Sequence, residues 1–82
     1  MRTFELKPIN GQKTFGRKAI VQENNGVSYL ISYDTVVAEF DHHNNKMQVY
    51  GWFSSTTARH INAFLDFYGF NTCTKKELEN YA

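Results

Sequence analysis

One stretch constrains the fold more than any other: VQENNGVSYLISYDTVVAEFD, residues 21–41. Polar and apolar residues alternate along it, and two short polar pieces, Asn24-Asn25-Gly26 and Asp34-Thr35, interrupt the alternation. A repeat of two is the side-chain period of a half-buried strand. Gly26 supplies the positive φ that a tight hairpin turn needs. Asp34 and Thr35 carry side chains that bond nearby backbone amides and so hold a reversal. Strands over 17–23, 27–33 and 36–41 follow, joined as antiparallel hairpins. On the second, Val27, Tyr29, Ile31 and Tyr33 share one face, while Ser28, Leu30 and Ser32 share the other. On the third, Val36, Ala38 and Phe40 lie on one side. His42-His43-Asn44-Asn45 is a further polar turn, leading into a fourth strand over 46–52 in which Met47 and Val49 alternate with Gln48 and Tyr50.

The period then changes. Ala58, Ile61, Leu65 and Tyr68 recur at helical spacing, and Phe64 widens the stripe. Ser54 or Ser55 can cap the start, and Gly69 stands where helices commonly end in left-handed geometry. Thr74 followed by Glu77 is a capping-box pattern ahead of a second, short helix. Before residue 17, Pro8, Asn10-Gly11 and Gly16 break regular structure, and Phe4 and Leu6 alternate within a short candidate edge strand over 3–7.

These signals predict an α+β fold: a four-stranded antiparallel meander packed on one main helix (54–68), with a short C-terminal helix (74–81). The 82 residues make a single domain. Residues 1–16 are an N-terminal arm or edge strand, 17–52 the sheet and 53–82 the helical part. Such a small domain buries only about 60% of the surface its unfolded chain exposes. The 16% of aromatic residues are therefore needed to fill a thin core.

Charge and cysteine content exclude several classes. The net charge of +1 is neither that of an acidic nucleic-acid mimic nor that of a strongly basic nucleic-acid binder. The charge is uneven: Arg2, Lys7, Lys13, Arg17 and Lys18 against Glu5 give +4 in residues 1–20, and Glu23, Asp34, Glu39 and Asp41 give −4 in 21–45. Cys73 is the single cysteine, so no intrachain disulfide forms, which favours a reducing compartment. A charged start and Pro8 argue against a secretory leader, and no apolar run approaches the roughly 18 residues of a membrane span.

Catalytic motifs are missing: there is no phosphate loop, GxSxG, HExxH or CxxC. His42 and His43 are adjacent in a turn, where side chains point apart, and their spacing selects no metal site with His60. Arg59 falls at the margin of the buried helical stripe, and His60 shares a ridge with Phe64 and Phe67 as a boundary residue. Thr56 and Thr57 flank the free amides at the helix start, as capping residues or as an anion cradle. Tyr33, Asp34, Trp52, Arg59 and His60 are the candidate partner-binding residues, with Tyr33, Asp34, Arg59 and His60 forming one polar edge if the turn and the helix start meet. Arg17, Lys18 and Lys46 are the candidate nucleic-acid-binding residues, beside sheet aromatics on which bases could stack.

Ser32, Tyr33, Asp34, Thr35, Val37 and Ala38, continued by Trp52, Ser54, Thr56, Thr57, His60, Ile61, Phe64 and Leu65, resemble a family of small proteins. That family is found in bacteriophages and mobile elements of low-GC Gram-positive bacteria. Its pattern is a Tyr-Asn/Asp-Thr turn before a Val-Ala strand, then a Trp leading through Thr-Thr into a helix that ends in Phe-Leu. The likeness covers residues 27–65 and implies a provenance, not a chemistry; it supplies no catalytic residues. The expected function is accordingly non-enzymatic: binding of a host or phage macromolecule, with inhibition of a host defence system as the concrete version. The alternative is a small nucleic-acid-binding domain using the basic arm and the sheet aromatics. A protein partner is expected first and nucleic acid second, in the cytoplasm of the bacterial host, with no cofactor, metal or membrane. An exposed edge strand leaves a homodimer open.

Overall fold

The computed structural model describes residues 2–9, 14–50, 55–74 and 77. Five strands, β1 (Arg2–Glu5), β2 (Ala19–Asn24), β3 (Val27–Ser32), β4 (Thr35–Asp41) and β5 (Lys46–Val49), precede one helix, α1 (Ser55–Phe67). The strands form a single antiparallel sheet whose spatial order is the chain order, β1-β2-β3-β4-β5. The sheet therefore has five strands and not four. The N-terminal segment pairs with β2 from Arg2–Glu23 to Glu5–Ile20. It stays because Phe4 packs on the core, Leu6 enters it, and Leu6 N–H donates to Ala19 O at 2.9 Å. Arg2 also pairs with Glu23 at 3.3 Å.

Tight turns set the register. Asn25 (φ 52°) and Gly26 (φ 81°) join β2 to β3, and Tyr33 (φ 57°) and Asp34 (φ 99°) join β3 to β4. Positive φ at both central residues gives a two-residue hairpin loop whose twist matches that of the strands it joins. The β4–β5 turn is held by the Asp41 carboxylate. Its Oδ1 accepts from His43 N–H at 2.9 Å and from Asn44 N–H at 3.3 Å, and its Oδ2 from Asn44 Nδ2 at 2.7 Å. The Asn44 side chain first, and these amides after it, hold the Asp41 carboxyl below its ordinary pKa.

The face of β3 that turns to the helix is that of Ser28, Leu30 and Ser32, all buried, while Val27, Tyr29 and Ile31 are half-buried on the open face. The serines can occupy the inside because each meets a polar partner there. On β4, Val36 parts from Ala38 and Phe40: it is exposed and they are buried. The reason is a bulge. Leu30 pairs with Ala38 and Ile31 with Val36, so Val37 is an extra residue and turns inward beside Ala38.

α1 covers this face with Ala58, Ile61, Phe64 and Leu65, and Ile61, Phe64 and Leu65 are fully buried, as the helical stripe requires. Its C-terminus closes as a Schellman motif: Gly69 (φ 84°) N–H donates to Asp66 O at 3.0 Å and Phe70 N–H to Leu65 O at 2.8 Å. Asn62 then clamps the returning chain, its Oδ1 accepting from Cys73 N–H at 2.7 Å and its Nδ2 donating to Cys73 O at 2.8 Å. Of the short helix expected over 74–81, only Thr74 and Glu77 fall within the described residues. They make the reciprocal capping-box bonds, Thr74 N–H to Glu77 Oε1 at 2.9 Å and Glu77 N–H to Thr74 Oγ1 at 3.2 Å.

Candidate functional site

The site is built where the β3–β4 turn, the start of β2 and the first turns of α1 converge. The β2–β3 register pairs Ala19 with Ser32, which leaves Lys18 opposite Tyr33. Tyr33 N–H donates to Lys18 O at 3.0 Å, and Lys18 Nζ lies 5.5 Å from the Tyr33 ring centroid. Lys18 is fixed from its other side by a turn through Gly16 (φ 66°) and Arg17 (φ 64°), with Lys18 N–H donating to Phe15 O at 3.3 Å. Tyr33 is exposed although it holds a left-handed backbone that costs a non-glycine residue roughly 1–2 kcal/mol.

His60 lies beneath. It is 1% exposed, its ring 5.6 Å from Tyr33 and 4.4 Å, edge-on, from Phe15. The boundary position expected of it is thus corrected: it belongs to the core, while its ridge-mate Phe67 is exposed. The sheet explains this. Ser32 Oγ reaches across to His60 Nδ1 at 2.8 Å and to Thr57 Oγ1 at 3.2 Å, so the imidazole is partly satisfied inside. Nε2, on the far side of the ring, is buried with no hydrogen-bond partner among the described residues. Burial first, and the Lys18 charge second, hold the His60 pKa below its ordinary value, so the ring is neutral.

Phe15, Lys18, Tyr33, Thr56, Arg59 and His60 line a hollow of about 110 Å³. Thr56, Arg59 and His60 come from one face of α1, at spacings of three and four. A second depression of about 220 Å³ lies beside it, sharing Lys18 and Tyr33 and adding Arg17 and Asp34. No acidic residue stands in the first turn of α1, and no carboxylate pairs with Arg17, Lys18 or Arg59 among the described residues. The positive end of the helix and the cations Arg17, Lys18 and Arg59 therefore face this surface, with Asp34 beside Arg17 and Lys18.

Ser32 and His60 are buried together, so the Ser32 hydroxyl is not exposed at this surface. A second serine–histidine pair closes the other end of β3. Tyr68 Oη donates to Ser28 Oγ at 2.8 Å, and Ser28 Oγ is also hydrogen-bonded to His42 Nε2 at 2.6 Å. Burial, the largest influence on Tyr68, keeps its phenol protonated above the ordinary range. Among the described residues no three His, Cys, Asp or Glu side chains converge as metal ligands.

Of the residues singled out in the sequence, Tyr33, Asp34, Arg59 and His60 come together, and Arg17 and Lys18 join them. Trp52 lies outside the described residues. Lys46 pairs with Asp41 at the far end of β4, about 20 Å away along the strand. Tyr29 faces Gln22 and Glu39 on the open face, and Tyr50 Oη donates to Glu39. Sequence reasoning missed Ser32 and Phe15 as parts of the site.

A family of unknown function, DUF8033, matches residues 4–80. The chain belongs to this family. No curated protein and no solved structure matches it. The match begins inside β1, at Phe4, and runs past the capping-box residues Thr74 and Glu77. No helix of the described residues is long and apolar enough to cross a membrane.

Proposed function

We propose that this protein is a non-enzymatic binding protein that engages a macromolecular partner, a protein, through the surface centred on Tyr33. The observation that carries this reading is Tyr33 itself: an exposed aromatic, held at φ 57° and flanked by Lys18, Arg59 and Asp34. Tyrosine and arginine dominate binding hot spots. Strain of this kind persists where the surrounding structure imposes it, and it clusters at functional positions. In the wider reading the protein is an accessory protein of a phage or mobile element, acting in the cytoplasm of a bacterial host, with a defence enzyme as the target. The resemblance of the Tyr33 turn and the Thr56–Leu65 helix to such proteins supports that provenance.

The test is affinity capture from a low-GC Gram-positive host lysate at physiological salt. Wild-type protein is run beside Tyr33→Ser and, as a control from the opposite end, Lys46→Ala. A partner retained by wild type and Lys46→Ala and lost by Tyr33→Ser supports the reading. A partner held equally by all three, or none, overturns it.

Nucleic-acid binding is the second reading, favoured by the convergence of Arg17, Lys18 and Arg59 beside an exposed ring. It predicts an affinity that falls steeply with salt as bound phosphates release counterions. A flat salt response removes it.

A further inference from the structure

We infer that the hollow between Lys18, Thr56, Arg59 and His60 is a receptor for one oxyanion, and that its occupant is the carboxylate of an acidic side chain on the protein partner. This rests on the reading of the Tyr33 surface as a protein-binding site and names what that surface recognises.

Four features meet at one place. First, His60 Nε2 is a buried polar atom without a hydrogen-bond partner among the described residues, in a residue that lines the hollow. A buried donor left unmade costs about 1–3 kcal/mol, so a native structure that keeps one needs a reason for it. Second, Lys18 and Arg59 line the same hollow and pair with no carboxylate among the described residues. Third, Thr56 adds a hydroxyl on the first turn of α1, where the helix presents its positive end and carries no acidic residue of its own. Fourth, among the described residues no carboxylate lines this hollow; Asp34 lines the neighbouring depression instead.

An oxyanion accounts for all four. It selects the tautomer protonated at Nε2. Ser32 Oγ–H then donates to Nδ1, so both ring nitrogens are satisfied at once. Arg59 brings a planar fork that matches a carboxylate, and Lys18 a point charge. Tyr33, stacked near Lys18 at the mouth, lies against whatever carries the anion.

A carboxylate is favoured over the backbone of a nucleic acid. A polyanion needs a row of phosphate sites, and here the depression next to the hollow of about 110 Å³ carries the carboxylate of Asp34, on a chain of net charge +1. A single acidic side chain needs one site and is tolerant of Asp34.

Imidazole nitrogen and ring-proton NMR signals of His60 in the full chain give the test. Acetate, a short oligoglutamate peptide, inorganic phosphate and a single-stranded oligonucleotide are the probes. The groups that face His60 are Lys18 before β2, Tyr33 in the β3–β4 turn, and Thr56 and Arg59 on α1. Acetate and the peptide are expected to move the His60 signals saturably and to raise the midpoint of its titration by about one pH unit, because the bound anion favours imidazolium. Lys18→Ala/Arg59→Ala, two exposed positions, should abolish the effect at unchanged melting temperature. If no anion moves His60, or the double variant responds like wild type, the receptor is refuted. If the oligonucleotide binds tenfold more tightly than the peptide, the carboxylate is refuted in favour of a phosphate backbone. If the anions act as expected while Tyr33→Ser retains the captured partner, the protein-binding reading fails and the anion receptor stands.

Discussion

Ser32 of β3 and His60 of α1 are 28 residues apart in sequence and 2.8 Å apart in space, hydroxyl to Nδ1, each almost wholly buried. The bond is a polar rivet in an apolar interface, and it fixes the helix over the strand at one rotational setting. Ser32→Ala should leave Nδ1 without its partner and destabilise the fold by about 1–3 kcal/mol. Ser32→Ala/His60→Phe, which removes both polar groups together, should recover much of that loss. Urea midpoints of the two single variants and the double variant measure the coupling.

The neutral state of His60 carries a pH dependence. Its folded pKa is lowered from 6.5, so below that value the unfolded chain binds a proton that the folded chain refuses. Stability from this residue is full above pH 6.5 and declines as pH falls toward the folded value. His60→Gln should flatten the change in urea midpoint between about pH 7.5 and 5.5. An equal slope in both proteins would contradict the assignment. Asp41 and Glu77, whose pKa values are also lowered, contribute only in the acid range below their ordinary carboxyl values of 3.8 and 4.5.

The Tyr33–Asp34 turn trades stability for exposure. Both residues hold positive φ, 57° and 99°, where Asn and Gly are the favoured pair. Tyr33→Asn/Asp34→Gly should therefore raise stability by about 1–2 kcal/mol while abolishing partner capture. A more stable variant that still binds would remove Tyr33 from the interface.

Much of the architecture could be read in the residues. The Asn25-Gly26 turn fixes the β2–β3 register, and that register alone places Lys18 opposite Tyr33 and Ala19 opposite Ser32. The stripe Ala58, Ile61, Leu65 gave the buried face of α1 and Gly69 its end. Three things were hidden for physical reasons. The candidate edge strand over 3–7 is β1, but its membership of the sheet was obscured by the breakers that follow it, because its hold comes from Phe4 and Leu6 reaching a distant core. The inner face of β3 was obscured because hydrophobicity alone would turn Val27, Tyr29 and Ile31 inward; the serines go in because His42 and His60 arrive from elsewhere in the chain. The bulge at Val37 has no signature in a run of small apolar residues. At the site, Tyr33, Asp34 and Arg59 were found by composition and position, whereas the depth of His60 depends on Ser32 and Phe15, partners no local pattern announces.

Core truncation should separate the two layers. Phe64, fully buried under the sheet, cut to Ala should cost about 3–5 kcal/mol. Phe67, half exposed at 51% and stacked 5.2 Å from Phe4 on the sheet edge, should cost much less. Thermal melts of both variants check the contrast.

A meander whose strands lie in chain order can zip up hairpin by hairpin, each step closing a short loop at small entropic cost. The helix follows all five strands in the chain, and its docking is the step that joins residues far apart in sequence. The cationic hollow is completed at that step, when Thr56, Arg59 and His60 meet Lys18 and Tyr33. A ligand that recognises the hollow consequently reports on finished protein: it distinguishes the fully assembled chain from an intermediate that already has every strand in place.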